Sequence, residues 1–128
     1  MRQAWPKPAP RKRPSTAGAE EHGREIVATR SGGRCERCGQ FGTTVHHRRK
    51  RSQGGRWDAS NLLALCGDGV RGCHGWAEAN PSAAHEAGYW LRHGEQSTAT
   101  PVLRLGRLVL LDDDGQVHEL PAPLGGVA

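Results

Sequence analysis

The sequence predicts a small α+β domain held together by a metal site, and three observations carry that expectation. Short strand-like and helix-like segments follow one another without an internal repeat. Ile, Leu, Val and Phe make up 20 of the 128 residues, about 16%, below the roughly 20% at which an apolar core becomes doubtful. Four cysteines stand in two pairs, and domains this short of apolar surface commonly rely on a metal or on disulfides. No run approaches the roughly 18 apolar residues of a membrane span, and the opening residues carry no apolar signal segment. A soluble, cytoplasmic protein is therefore expected, in which metal is a better use of the thiols than disulfides.

Residues 1–18 hold four prolines and five Lys/Arg with almost nothing that could pack, and read as a disordered basic arm. The main domain is expected over 19–95. It opens with a short helix through Glu20, Glu21, Arg24, Glu25, Ile26, Val27 and Ala28, ended by Ser31-Gly32-Gly33. Cys35-Glu36-Arg37-Cys38-Gly39 has the form of a knuckle, its glycine free to turn the backbone around a metal. Thr43–His46 is rich in β-branched residues and reads as a strand, and His47–Ser60 as a long, basic surface loop. Asn61–Cys66 is apolar, strand or helix by period alone. Cys73–Glu78 looks like a helix start, and Pro81–Trp90 a second helix with proline in its first turn and Gly94 beyond its end. In the extension 96–128, Leu105–Leu111 and Gln116–Leu120 flank an Asp-Gly turn as a β-hairpin, followed by a frayed tail from Pro121.

Charge is divided along the chain. Residues 1–57 carry 14 basic and 4 acidic side chains, whereas residues 58–128 carry 4 and 9. With no amphipathic apolar face in the basic half, nucleic acid is a better partner than a membrane surface. The densest positive charge, Arg48, Arg49, Lys50 and Arg51 with Arg56 beyond, is expected to contact phosphates, the bland alternative being a solubilising loop. Trp57 could stack on a base or plug the core, while Trp76 and Trp90, at helical positions, read as core.

Cys35-x2-Cys38 and Cys66-x6-Cys73, with 27 residues between the pairs, approach the pattern of a tetrahedral structural zinc site. Four sulfurs close the coordination shell, so such a metal would hold the fold and do no chemistry; the alternative is four free or disulfide-paired thiols. Of the seven histidines, His22, His85, His93 and His118 sit in polar or helical surroundings and read as solvated. His46, His47 and His74 each adjoin a structural feature.

The ordered set His46-His47, Asn61 and Cys73-His74, with both cysteine pairs interleaved, resembles the HNH nuclease family, whose fold is the ββα-metal (His-Me) finger. The resemblance spans about residues 24–90. It runs through Arg34–Gly39, Val45–Arg49, Ser52–Gly55, Asn61–Cys66 and Gly72-Cys73-His74-Gly75-Trp76, in the four-cysteine zinc subtype, and the segment around Cys73-His74 with the C-terminal hairpin looks like phage and actinobacterial forms. It implies a metal-dependent endonuclease that nicks or cuts DNA. His46 and His74 would bind the catalytic divalent metal, His47 would be the general base, and Asn61 would orient that base by a hydrogen bond or fix the loop. Many relatives carry another histidine where this chain has Glu78, four residues after His74. Glu78 could complete the site, tilting preference toward Mg²⁺ or Mn²⁺ over Ni²⁺ or Zn²⁺, or simply be a solvated helix residue. Rival readings are a non-catalytic zinc-dependent nucleic-acid-binding module, and a subunit active only beside a partner such as a phage packaging terminase.

Phosphodiester hydrolysis makes sense of these residue types independently. It needs a proton acceptor that is neutral near pH 7, which imidazole supplies, and a Lewis acid for charge building on the phosphate and the leaving oxygen. One tension is built in. Adjacent residues of an ideal strand point to opposite faces, so His46 and His47 can serve one site only if the strand ends or bends there.

Overall fold

The computed structural model describes residues 16–121, with side chains from residue 18. The expected basic arm and tail lie outside the described residues, except that the first helix already begins at Thr16. In chain order the elements are α1 (Thr16–Ser31), β1 (Thr43–His47), β2 (Leu62–Cys66), α2 (Gly72–Ala79), α3 (Pro81–Glu86), β3 (Val102–Arg104), β4 (Arg107–Leu111) and β5 (Val117–Glu119). Short 3-10 turns at Arg51–Gln53 and Ala59–Asn61 interrupt the basic loop. Among the described residues no helix is long and apolar enough to cross a membrane.

The centre is the antiparallel pair β1–β2, in register from Thr43 opposite Cys66 to His47 opposite Leu62. The apolar segment that period alone left open is therefore a strand, and every residue of it is buried. Leu62 and Ala64 pack with Val27 of α1, Val45 and Trp57. Leu63 and Leu65 face the opposite way into the larger cluster of Ala77, Ala84, Tyr89, Val102, Val109 and Leu111. A strand covered on both faces has no polar side to show, which is why it reads as an unbroken apolar run.

Two expectations need correction. The second helix stops at Glu86, not Trp90, because Gly88 turns the chain with φ 84° and Tyr89 then enters the core. The C-terminal hairpin is a three-stranded antiparallel sheet, β3-β4-β5. The added strand, β3, is three residues long, and its Leu105-Gly106 turn, positive in φ at both residues, carries no Asn-Gly or Asp-Gly signal.

Buried polar groups make up for the thin core. Glu36 is buried, and its carboxylate accepts from Arg30 Nη2 at 2.7 Å, Arg104 Nε at 2.7 Å and the Ala64 peptide N–H at 3.0 Å. Arg30 also donates to the Ala59 and Leu62 carbonyls, so one ion cluster ties α1, the knuckle, β2 and β3 together. The approach of α1 to the basic loop depends on Gly23, where a Cβ would run into the carbonyl oxygen of Trp57. Replacing a helical glycine by alanine ordinarily stabilises by roughly 0.5–1 kcal/mol. Gly23→Ala should do the reverse and cost about 1–3 kcal/mol through overpacking, read as a lower urea midpoint; a raised midpoint would show that the contact yields freely.

Candidate metal centres and active site

Cys35 and Cys38 come from the knuckle after α1, Cys66 from the end of β2 and Cys73 from the first turn of α2. All four are free thiols, and their sulfurs lie within 4.8 Å of one another, Cys38 and Cys66 being 3.6 Å apart. Four thiolates about 2.3 Å from a common tetrahedral ion would stand about 3.8 Å apart, so the cluster fits a metal. The peptide N–H groups of Arg37 and Cys38 donate to Cys35 Sγ, and that of Cys73 to Cys66 Sγ. Burial works to raise the Cys35 thiol, but the peptide donors of Cys38, Cys66 and Arg37 outweigh it and bring its pKa down to about 7. Cys73 is pushed by burial up to about 12, and the Arg37 guanidinium, 3.3 Å from its sulfur and stacked 3.8 Å over Trp76, opposes that rise.

A second donor set lies on the α2–α3 side of β1. His46, His74 and Glu78 bring ligand atoms within 4.8 Å of one another. His46 is buried between the rings of His74 and Trp90 and places Nε2 2.7 Å from the Tyr89 carbonyl oxygen. A carbonyl only accepts, so that nitrogen carries the proton and Nδ1 keeps the lone pair. His74 places Nδ1 2.6 Å from Thr44 Oγ1 and Nε2 4.0 Å from the Glu78 carboxylate, one helical turn away. Burial brings the His46 pKa down to about 4 and lowers that of His74 against the pull of Glu78 and Asp68. Both rings are neutral near pH 7, the form that binds metal. Two nitrogens and one carboxylate leave coordination positions open for water or phosphate.

His47, the last residue of β1, faces α1 and meets the edge of Trp57 with ring centroids 4.4 Å apart. Its Nε2 is buried without a hydrogen-bond partner, and Nδ1 is the nitrogen not enclosed in that way. Burial first, then Arg51 and Arg24, lower its pKa. The tension between neighbouring strand residues is resolved by position: because the strand stops at His47, both histidines line one concavity of about 200 Å³, together with Val45, Lys50, Arg51, His74, Glu78 and Trp90.

Asn61 makes no bond to His47. Its Oδ1 accepts from the Arg49 N–H at 2.8 Å, and its Nδ2 donates to the Arg56 carbonyl at 3.0 Å and the Arg49 carbonyl at 3.3 Å. These three bonds clasp the two ends of the basic loop. Trp57 packs against the α1 face of β2, with Arg24 and Arg51 over its ring at 4.9 and 5.5 Å.

The basic loop divides in a way its sequence does not announce. Arg48, expected among the phosphate contacts, is fully buried, and its guanidinium donates to the carbonyls of Gly88, Ser60, Ser97 and Thr100 at 2.7–2.9 Å. Burial lowers its pKa to about 10, which leaves it charged, and none of its side chain reaches a ligand. Arg49 is half-buried and spends one Nη on the carbonyls of Arg92 and Glu95. Lys50, Arg51 and Arg56 are exposed. The residues that sequence reasoning passed over are Thr44 and Tyr89, which touch the two histidines of this donor set; the Tyr89 contact is a backbone carbonyl and leaves no trace in residue type.

The family model for the HNH endonuclease matches residues 35–75, from the first cysteine to just past His74. No curated protein and no solved structure matches the chain.

Arg48→Ala should lower stability by about 3 kcal/mol or more, since it strips a charged donor from several buried carbonyls. Lys50→Ala and Arg51→Ala, on the surface, should each change it by less than about 0.5 kcal/mol. Urea unfolding of the three variants checks this, and equal midpoints would contradict it.

Proposed function

We propose that this chain, whose residues 35–75 match the HNH endonuclease family model, works as a metal-dependent endonuclease that hydrolyses DNA phosphodiester bonds, by nicking or by cutting both strands. The observation that carries this reading is the meeting, in one concavity, of an open two-histidine, one-carboxylate donor set with a third neutral histidine, His47, on the adjoining wall. His46 Nδ1, His74 Nε2 and Glu78 would hold the divalent ion; the carboxylate favours Mg²⁺ or Mn²⁺, while imidazoles also suit Ni²⁺ or Zn²⁺. Bound there, the ion supplies Lewis-acid stabilisation of charge on the scissile phosphate and the leaving 3′ oxygen.

The chain's own residues do the rest. His47 has its Nε2 buried beside Trp57 and would offer the lone pair of Nδ1 to a water. As the water oxygen bonds to phosphorus the P–O3′ bond breaks, Nδ1 takes the water's proton, and the departing 3′ oxygen is protonated from solvent. Lys50 and Arg51, on the same wall, neutralise the bound phosphate, and Arg56 contacts the backbone further along. Asn61 acts indirectly, by clasping both ends of the loop that carries Lys50 and Arg51. The four cysteines hold a structural zinc that takes no part in cleavage.

One zinc per chain should accompany the folded protein by elemental analysis, and its removal with a strong chelator should unfold the domain, because binding free energy on the order of 10 kcal/mol is folding free energy in such sites. Folded protein free of zinc would refute that assignment. With supercoiled plasmid and Mg²⁺ or Mn²⁺, wild type should nick or linearise, and His47→Ala should lose roughly 10²- to 10⁴-fold in rate with its zinc content and DNA affinity kept. DNA binding without cleavage by wild type in any of the four divalent ions would favour the non-catalytic binding module. The acid limb of kcat/KM adds a check of sign. His47 must be neutral to act, and its pKa lies below the ordinary 6.5, so activity should persist through pH 6.5 and fall only on further acidification. An acid limb centred above 6.5 would exclude His47 as the base.

A further inference from the structure

We propose that Thr44 is a positioning residue: it fixes which nitrogen His74 turns toward the second metal site, and it ties that choice to the turn between two of the clustered cysteines. The role of that site is the one proposed above, but the hydrogen-bond logic stands apart from it.

A threonine hydroxyl has one hydrogen to give. Thr44 Oγ1 lies 2.9 Å from the carbonyl oxygen of Gly67 and 2.6 Å from Nδ1 of His74. The carbonyl can only accept, so the hydroxyl hydrogen points at Gly67, and toward His74 the oxygen acts as acceptor. Nδ1 of the neutral ring must then carry the proton. Nε2, 4.0 Å from the Glu78 carboxylate, is left with its lone pair directed at the place where His46 and Glu78 bring their own donor atoms. Without an acceptor at position 44 the ring is free to take the opposite tautomer, which would present N–H where a lone pair is needed.

Gly67 is placed with little latitude. It follows Cys66, its φ of 82° is left-handed, and a Cβ there would collide with the Arg71 carbonyl. Its N–H donates to the Gly42 carbonyl at 3.0 Å. His74, at the other end of this relay, follows Cys73. The segment from Gly67 to Gly72 is therefore closed twice, by the cysteines at its flanks and by the bridge from the Gly67 carbonyl through Thr44 to the His74 ring. Thr44 stands two residues before His46 on β1, so one face of one strand supplies a ligand and orients another. It is exposed and polar, and in sequence it reads only as a β-branched strand residue.

The test uses the full zinc-loaded chain before any second metal is added. Long-range ¹H–¹⁵N NMR of the imidazoles near pH 7.5 reads the His74 tautomer, with His74→Gln to assign its signals. Wild type and Thr44→Ser should show the Nδ1–H form, and Thr44→Val, which keeps the β-branched shape, should show a mixture or the Nε2–H form. Mn²⁺ titration followed by calorimetry should then find binding weaker by roughly 10-fold or more in Thr44→Val and restored in Thr44→Ser, the usual size of loss when a ligand's supporting hydrogen bond is removed. An Nε2–H tautomer in wild type, or a valine variant that matches wild type in tautomer, would overturn the proposal. Failure of wild type to bind Mn²⁺ would instead count against the nuclease reading, with the tautomer comparison still deciding the role of Thr44.

Discussion

The meeting of four sulfurs within 4.8 Å joins three separate pieces of chain at one point. The knuckle of Cys35 and Cys38 follows α1, Cys66 is the last residue of β2, and Cys73 stands in the first turn of α2. Once Cys66 is held, the register of β2 against β1 sets where His46 and His47 stand. Once Cys73 is held, His74 follows one residue later and Glu78 one turn beyond. The His46–His74–Glu78 donor set on the α2–α3 face of β1 is thus aligned by elements that also carry the cysteine cluster. A domain with more apolar surface could have left this alignment to packing; here the larger apolar cluster itself includes Cys35, Cys66 and Cys73.

Charged side chains inside the protein do similar work. Glu36 holds Arg30 and Arg104 with both carboxylate oxygens, and the side chains of Arg30 and Glu36 are each only 1% exposed. Arg48 supplies donors to a stretch, residues 87–101, that has no strand or helix to satisfy its carbonyls, and such groups cannot stay unpaired when buried. An ion removed from water is costly unless every partner is in place, so these clusters specify the path of the loops as much as they stabilise it. The positive field near the site comes from the exposed Lys50, Arg51 and Arg56, and the net charge of the first half of the chain overstates it.

What was legible in the sequence was local. The cysteine spacing, the glycines that end α1 and the β-branched run before His46 each state their structure within a few residues, and the resemblance ordered them correctly. What was not legible depends on partners far along the chain. Arg48 stands beside Arg49, Lys50 and Arg51 and differs from them in being fully buried, with Nε and both terminal nitrogens spent on carbonyls, three of them 40 to 52 residues away. Asn61 clasps a loop because Arg49 and Arg56 fold back onto it, and no property of an asparagine says whether it will bind a ring or a backbone. β3 escaped notice because three residues give no period to read, and its turn uses a leucine at φ 49°, a conformation no sequence rule assigns to leucine.

The two faces of β1 also divide the site between segments of different standing. His46 looks toward α2 and α3 and meets His74, inside the matched residues 35–75, and Trp90 beyond them. His47 looks toward α1, which lies wholly outside that match. It is enclosed by Trp57, whose ring is covered in turn by Arg24 of α1 and Arg51 of the loop, and burial together with those two arginines lowers its pKa. Gly23 lets α1 come close enough to make that enclosure. The proposed base is therefore tuned first by its burial, then by Arg51 of the loop, and only after these by α1, a helix outside the matched residues whose Arg24 lowers its proton affinity while Glu20 works against that. A core segment with both donor clusters intact but with a different helix packed on this face would keep the same residues in place and titrate His47 differently.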